Sequence, residues 1–336
     1  MKKNLLNIAL GLVIGAVFLW LSLRNIELSE LRDYVSLMSY QWIAPFIFFC
    51  FLSFIIRSER WFLLLKSEHP NVKRSTLLSG ILTGYLVNYA IPRLGELTRS
   101  VYVAKKENIS SSNILGTVVL ERIIDVICIG VMVLFVLIFV VSDRQTFYAL
   151  FGPEAIVFVD GLMSPWAVVG LMTATIISLF LGWKAIQYLY RKRAKDLNEG
   201  TESQGLFRIL FMFTDGLISI RKLKKWPLFV VYTILMWFVY AMLTYIPLYA
   251  FNLVELHNID LLSAFSVMVI ATIGVMLPSP GAVGTYHWFV KQSLLVLFSV
   301  PAVTGLAYAF VAHAAMLFSV LLFTPLTWLY IFLKGR

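Results

Sequence analysis

The sequence has little charge and few of the residue types that soluble enzymes use for chemistry. Only 14% of its 336 residues are charged, and it contains four histidines and two cysteines. Cys50 and Cys128 both fall inside apolar runs, so we expect neither a disulfide nor a metal site. The sequence also lacks a Walker-type phosphate loop and a clustered set of histidine and cysteine ligands. We therefore expect no cofactor, no enzyme activity and no direct use of ATP.

Apolar residues take the place of the missing charge. The chain is 60% hydrophobic with a mean hydropathy of +0.84, and no polar linker divides it. This composition predicts one all-α polytopic membrane domain over residues 1–336. The first apolar run follows Lys2 and Lys3 and lacks a small-x-small cleavage site, so it is interpreted as a retained helix. Six runs are long enough to cross a membrane: 5–23, 42–65, 112–141, 166–190, 227–253 and 302–332.

Two further apolar stretches, 76–92 and 261–278, end in the same Pro-x-x-Gly pattern, 186 positions apart. Proline removes a backbone donor, and glycine tolerates the dihedral angles of an unwound link. At membrane depth, such backbone is tolerated only inside protein or beside a wet cavity. Each break is therefore predicted to form the tip of a re-entrant hairpin. The break residues are Pro92 and Gly95 in the first hairpin, and Pro278, Gly281 and Gly284 in the second.

The distribution of lysine and arginine predicts how the chain is oriented. The net charge is +10, but the basic residues lie between the apolar runs, which favours membrane orientation over a nucleic-acid partner. With six crossings and both termini in the cytoplasm, all but four of the 28 basic residues are cytoplasmic. If 76–92 crossed the membrane fully, the basic segments before and after it would lie on opposite sides. A re-entrant hairpin therefore fits the charge distribution better. We expect a multi-pass protein of the cell inner membrane.

The spacing of the runs predicts an inverted-topology repeat. Shifting the span 42–65 by 186 positions superimposes it on the fifth span, and 112–141 shifts onto most of the last. The first repeat covers about 42–141 and the second about 227–332. A pair of ordinary proline kinks is the alternative. Residues 191–226 form a polar loop with an amphipathic segment that is predicted to lie on the anionic cytoplasmic leaflet, or else to bind a partner.

Charged residues inside apolar spans mark the candidate site, because they are costly there unless paired or facing a cavity. Glu121, Arg122 and Asp125 lie within one turn or so of each other on a predicted helix. An interhelical salt bridge and a substrate contact both fit this cluster, and the two can coexist. Arg60 is interpreted as a snorkelling anchor at the interface. Further polar residues are predicted to complete a cytoplasmic vestibule suited to a phosphate headgroup: Arg57, Asn88, Arg93, Glu96 and Arg99.

The second half offers fewer polar residues. Tyr286 and His287 follow the glycine-rich break, and His287 is expected to titrate near neutral pH. His313 lies between alanines in the last span and is interpreted mainly as a packing residue. Lys291 is assigned to the outer side of the membrane.

Three motifs, in order, resemble a known membrane family. They are Gly84…Asn88…Pro92-Arg-Leu-Gly95-Glu96-x-x-Arg99, Glu121-Arg122-x-x-Asp125, and Pro278-Ser-Pro-Gly281-Ala-Val-Gly284-Thr-Tyr286. Together they resemble the flippase-like membrane domain of lysylphosphatidylglycerol synthases, over about residues 5–330. The resemblance implies that the charged residues of the first two motifs belong to a polar translocation region. The family usually closes the third motif with glutamate where this chain has His287. The aminoacyl-transferase domain of the synthases has no counterpart in these 336 residues, so aminoacyl transfer is not implied.

Three functions fit these observations. The first is a flippase or transporter that moves an anionic, phosphate-bearing lipid or lipid-linked precursor between leaflets. The second is an intramembrane lipid-modifying enzyme, which would need two titratable groups converging on one cleft. The third is a non-transporting membrane subunit of a lipid or glycan synthesis complex, partnered by a synthase or glycosyltransferase.

Overall fold

The computed structural model describes residues 2–67, 69–92, 94–142, 173, 184 and 223–334. These residues form helices joined by short connections. The α-helices before the long gap are α1 (Lys2–Leu23), α2 (Leu28–Ser36), α3 (Ile43–Lys66), α4 (Arg74–Ala90), α5 (Leu94–Glu107) and α6 (Ser111–Ser142). Those after it are α7 (Trp226–Tyr245), α8 (Leu253–Leu256), α9 (Leu261–Met276), α10 (Thr285–Phe298) and α11 (Ala302–Lys334).

The predicted apolar elements agree with these helices to within a few residues, except that α7 ends at Tyr245 and its span continues as a 3-10 helix over Ile246–Phe251. The predicted span 166–190 and most of the loop 191–226 lie outside the described residues, so their structure is not addressed. Within the described part, two helices are long and apolar enough to cross a membrane: Trp226–Phe251 and Ala302–Lys334. Leu10–Leu23 and Leu28–Ser36 form a third only if their 81° bend lies within one span. The six crossings therefore remain a prediction.

Both predicted breaks interrupt the helices where the Pro-x-x-Gly pattern stands. The α4 helix ends at Ala90 and α5 begins at Leu94, and the two helices pack against each other. The α9 helix ends at Met276, a short 3-10 turn follows over Pro280–Ala282, and α10 then packs back along α9. The chain thus forms two helical hairpins. Whether each one enters and leaves the membrane on the same side is a separate prediction.

Helix lengths recur in the two halves of the molecule. Helices α3, α4, α5 and α6 contain 24, 17, 14 and 32 residues. Helices α7, α9, α10 and α11 contain 20, 16, 14 and 33 residues in the same order. The second break is the longer one, so the spacing between corresponding residues grows from 186 before the breaks to 191 after them. This match supports a repeat, while its inversion across a membrane remains a prediction.

Helix α1 packs against both breaks through two glycines. A Cβ at Gly11 would lie 2.8 Å from the Pro278 carbonyl oxygen and 3.2 Å from Pro92 Cγ. A Cβ at Gly15 would lie 3.2 Å from the carbonyl oxygen of Val283. Side chains at either glycine would push α1 away, so these positions let one helix contact both hairpin tips.

The C-terminal end of α1 is held by Lys291, which the charge distribution assigns to the outer side of the membrane. Lys291 is 5% exposed, and its Nζ donates to the carbonyl oxygens of Ser22 at 2.8 Å and Leu21 at 3.1 Å. The last carbonyls of a helix lack intrahelical partners and carry partial negative charge. The buried ammonium therefore caps α1 and joins it to the second hairpin.

Candidate functional site

Glu121 of α6 lies at the centre of a buried cluster of arginines and carboxylates. Its side chain is fully buried, and its two oxygens accept from two different helices. Oε1 accepts from Arg60 Nη2 of α3 at 2.9 Å, and Oε2 accepts from Arg99 Nη2 of α5 at 2.9 Å. Arg57 Nε lies 3.5 Å from Oε1. One carboxylate thus connects the long helix with α3 and with the first hairpin.

Asp125, one turn further along α6, takes part in the same network. Its Oδ1 lies 2.7 Å from Arg60 Nη1, although the two atoms are not aligned for a hydrogen bond. Its Oδ2 lies 3.7 Å from Arg122 Nη1 and 3.9 Å from Arg57 Nη2. Asp125 therefore contributes charge to the cluster more than it contributes well-directed hydrogen bonds.

The interpretation of Arg60 as a snorkelling anchor is wrong. Its side chain is fully buried, and its guanidinium contacts both Glu121 and Asp125. Arg60 and Arg57 are three residues apart on α3 and face the acidic pair on α6, which is four residues apart. Each spacing places its two side chains on one face of a helix. Both spacings are visible in the sequence and could have indicated that the two helices face each other.

Arg122 pairs with a carboxylate, as the sequence predicts. Its Nη2 donates to Glu96 Oε1 of α5 at 2.9 Å. Unlike the pairs around Glu121, the pair of Arg122 and Glu96 lies at the rim of the cluster, because the two side chains are 42% and 29% exposed. It links α6 to the first turn of α5, next to the break.

Arg57 makes the loosest ion pairs of the four arginines. Its Nη1 donates to the hydroxyl oxygens of Tyr85 at 3.0 Å and Tyr240 at 3.4 Å, while its distances to carboxylate oxygens are 3.5 Å and 3.9 Å. Sequence analysis missed both tyrosines, because neither carries a charge or lies in a motif. They bring α4 and α7 to the cluster, so residues from both halves of the chain contribute.

The cluster retains capacity to bind an anion. Its four arginines face three carboxylates, which leaves one excess positive charge among the described residues. Several buried guanidinium nitrogens there have no hydrogen-bond partner: Arg57 Nη2, Arg60 Nε, Arg99 Nε and Arg122 Nε. Buried N–H groups without partners are unfavourable, and a phosphate oxygen would satisfy them. Arg93, which the sequence predicts to belong here, lies outside the described residues.

A small cavity lies beside these arginines. It measures about 10 Å³, which is room for about one water molecule. Arginine, carboxylate and tyrosine side chains line it together with the first break: Arg57, Tyr85, Asn88, Gly95, Glu96, Arg99 and Arg122. The cavity is too small for a lipid headgroup.

Asn88 and Gly95 brace the first break at the edge of the cavity. The Asn88 Oδ1 atom accepts from the Gly95 N–H at 2.7 Å. A Cβ at Gly95 would collide with the Gly84 carbonyl oxygen and lie 2.5 Å from Asn88 Cγ. This close approach leaves no room for a side chain, which explains the glycine at this position of the break. Asn88 therefore supports the turn as well as lining the cavity.

The second break also has the predicted backbone. Gly281 and Gly284 have φ angles of +55° and +83°, a region that favours glycine. A Cβ at Gly281 would lie 2.5 Å from the Tyr89 ring of α4, so the two breaks are in contact. Pro278 meets Gly11 of α1 at the same junction.

Tyr286 and His287 do not join the arginine cluster. They pack with His313, whose ring centroid lies 5.0 Å from that of His287 and 5.3 Å from that of Tyr286. His313 therefore packs, as interpreted from the sequence, but its partners are two polar rings, because helical spacing within α10 and α11 does not reveal which faces meet. Among the described residues, this group forms a second polar site at the junction of the breaks.

The fold and the site define an all-helical membrane domain with a buried arginine–carboxylate cluster beside a helix break. A family model described as the lysylphosphatidylglycerol synthase TM region matches residues 8–323, and the chain belongs to that family. It is therefore a membrane protein tied to lipid metabolism.

A UPF0104 membrane protein of Pyrococcus horikoshii is 26% identical over 166 residues. The match covers 47% of this chain and 48% of the relative, so it spans only about half the length of that protein. No solved structure matches the chain.

Proposed function

We propose that this protein moves an anionic, phosphate-bearing lipid or lipid-linked precursor between the leaflets of the membrane. The observation that carries the proposal is the set of buried arginine N–H groups without partners beside the cavity. The headgroup would replace water at these groups while the lipid tails remain in the bilayer. Arginine suits this role because its planar fork binds phosphate in a bidentate manner and stays charged when buried.

The rim pair is the natural entry point for the headgroup. Arg122 and Glu96 are the most exposed members of the cluster, whereas Arg60 and Glu121 are fully buried. An incoming phosphate would compete with Glu96 for Arg122 and then reach Arg57 and Arg99 behind it. The inner pairs keep the helices together during this exchange, because breaking a buried ion pair is strongly unfavourable.

The contact between the breaks supports a mechanism of alternating access. Tyr89 of the first hairpin packs on Gly281 of the second, and Gly11 of α1 packs on both proline breaks. Separating these tips would widen the closed cavity and connect it with the far side of the membrane. Discontinuous helices that meet at a substrate site are typical of transporters built from inverted repeats.

Lipid movement in reconstituted vesicles tests this proposal. The purified chain is reconstituted with tail-labelled phosphatidylglycerol or with tail-labelled diacylglycerol, which lacks phosphate and crosses bilayers unaided. A membrane-impermeant reductant then bleaches the label on the outer leaflet. We expect phosphatidylglycerol in protein-containing vesicles to be bleached beyond the outer-leaflet fraction, unlike protein-free vesicles.

Two other outcomes correspond to the alternative functions. Chromatography of the recovered lipid would reveal a changed headgroup if the chain were an enzyme. Phosphatidylglycerol that stays in its leaflet, chemically unchanged, with several other anionic phospholipids giving the same result, would contradict transport and favour a non-transporting subunit.

A further inference from the structure

The second polar site occupies the place in the second half that the rim ion pair occupies in the first. Glu96 is the third residue of α5, and His287 is the third residue of α10. Arg122 is the twelfth residue of α6, and His313 is the twelfth residue of α11. One half thus places a salt bridge where the other places two imidazoles.

The two imidazoles are in contact and largely buried. Their rings are stacked at 5.0 Å with an interplanar angle of 26°, and His287 is 3% exposed. His313 Nδ1 is buried without a hydrogen-bond partner. Since two neighbouring imidazolium ions would repel each other in apolar surroundings, the pair accommodates at most one proton.

His287 is tied to the second break through the nitrogen that a proton would occupy. Its Nδ1 lies 3.2 Å from the backbone nitrogen of Gly284, which carries a hydrogen and must be the donor. Nδ1 is therefore the acceptor, and the ring proton of the neutral imidazole is on Nε2. A second proton, placed on Nδ1, would abolish this hydrogen bond and release the first turn of α10.

Among the described residues, the surroundings connect the pair with the first hairpin and contain no carboxylate that would hold a proton permanently. Tyr89 of α4 and Tyr286 of α10 lie 5.8 Å and 5.3 Å from the His313 ring. Tyr308 of α11 and Cys50 of α3 are the next titratable groups, near Tyr286 and Tyr89 respectively. Lys291, one turn beyond His287, donates to the end of α1. Neutral phenols therefore face the imidazoles.

We propose that His287 and His313 form a proton-binding site whose occupancy is linked to separation of the two hairpin tips. A hydronium ion of the entering water gives one proton to an imidazole nitrogen and becomes water when the tips part, and the same nitrogen returns the proton to water when they close. A proton on His287 cancels the Gly284 contact, and Gly284 itself packs against Gly15 of α1. Protonation therefore favours the open junction. The coupling to transport rests on the function proposed above.

Nuclear magnetic resonance of histidine ring nitrogens tests the site without relying on transport. The protein has only four histidines, and His69 and His257 serve as internal references. We expect the His287 and His313 signals to titrate as a pair, so that His313→Gln shifts the titration of His287 and leaves that of His257 unchanged. Independent titration of the two rings, or no titration of either down to about pH 4.5, two units below an ordinary histidine, would overturn the proposal.

Lipid movement then tests the coupling. His287→Asn is the sharpest variant, because the asparagine Oδ1 replaces Nδ1 as the acceptor for Gly284 but cannot titrate. The wild type should move lipid several-fold faster at about pH 5.5 than at about pH 7.5, on either side of the ordinary histidine pKa of about 6.5. His287→Asn should lose this dependence, and His257→Gln should keep it. A wild-type pH profile in a folded His287→Asn, His313→Gln double variant would overturn the coupling.

The histidine titration and the lipid-movement assay together distinguish a failure of this inference from a failure of the proposed function. If the wild type moves no lipid at any pH, the proposed transport and its coupling are both wrong. The paired titration would still decide whether the proton site exists.

Discussion

Tyr89 of the first hairpin lies against Gly281 of the second, close enough that a Cβ on Gly281 would be 2.5 Å from the tyrosine Cδ1 atom. The two breaks are therefore parts of one junction. Two independent proline kinks would not require such a contact. The junction adjoins the histidine pair, and Tyr85, one turn before Tyr89 on the same face of α4, reaches the arginine cluster. A movement at the junction can therefore change the geometry of both polar sites.

Valine at either hairpin glycine should stop lipid movement while the protein still inserts in the membrane. Gly281 has a positive φ angle and touches Tyr89, and Gly95 touches the Gly84 carbonyl and Asn88. A β-branched residue fits neither place. Because both tips belong to the same junction, we expect Gly95→Val and Gly281→Val to be similarly damaging in the vesicle assay.

Gly130→Val is the matched control for the hairpin variants. It replaces a glycine within α6 at which an added Cβ would have no atom within 4 Å. We expect it to retain wild-type lipid movement. Full activity in Gly281→Val would show that the second break is an ordinary kink.

Removal of the central carboxylate should destabilise the fold. Glu121→Gln keeps the shape of the side chain but leaves Arg60, Arg99 and Arg57 without their shared counter-charge. Breaking a buried ion pair on one side typically costs about 3–5 kcal/mol. We expect a loss of that size in the free energy of unfolding, measured by denaturation in detergent micelles.

Glu59→Gln provides the comparison, because Glu59 of α3 also pairs with an arginine. Its partner Arg74 is 61% exposed at the protein surface. A solvent-exposed pair contributes about 0–1 kcal/mol, so this variant should unfold much like the wild type. Equal stability of Glu121→Gln and Glu59→Gln would contradict a structural role for the central cluster.

The sequence predicts the helices and breaks well for a physical reason. Long apolar runs and Pro-x-x-Gly interruptions act locally, so α4 and α9 end where their prolines require. That Arg122 pairs with a carboxylate was likewise predictable, since a charge inside a span must have a partner, but the choice of Glu96 depends on how α5 packs on α6.

The contacts between helices were harder to predict. Arg60 has the composition and position of an interfacial anchor, and only the packing of α3 on α6 buries it. Gly11 and Gly15 resemble ordinary residues of an apolar run, yet they fit α1 onto both breaks. His313 lies 26 residues from His287, so its partner depends on how α10 and α11 pack. Such relationships arise from tertiary structure, which local pattern does not specify.

Cysteine labelling should place both flanks of the first hairpin on the cytoplasmic side. Asn71 and Lys106 are exposed and lie before α4 and near the end of α5, so they are suitable sites. After replacement of Cys50 and Cys128 by serine, we expect Asn71→Cys and Lys106→Cys to react from the same face of the membrane. Labelling from opposite faces would mean that α4 crosses the membrane fully and that the hairpin is not re-entrant.

Lys291→Met should weaken the docking of α1. The lysine donates to the Ser22 and Leu21 carbonyls, and hydrogen bonds to charged groups contribute about 1.5–3 kcal/mol each. We expect a decrease in the free energy of unfolding and faster proteolysis between α1 and α2. Lys334→Met, which removes an exposed lysine at the end of α11, should change neither. Identical proteolysis of the two variants would show that Lys291 does not hold α1.

The most direct test of the account compares Arg57→Gln with Arg74→Gln in the vesicle assay with tail-labelled phosphatidylglycerol. Both variants remove one arginine charge, but Arg57 lines the cavity with an unpartnered Nη2, whereas Arg74 is at the surface. Loss of one charge-assisted contact of about 1.5–3 kcal/mol predicts at least a tenfold slower movement of lipid in Arg57→Gln. Arg74→Gln should match the wild type. Equal rates in the wild type and both variants would contradict a headgroup path through the arginine cluster.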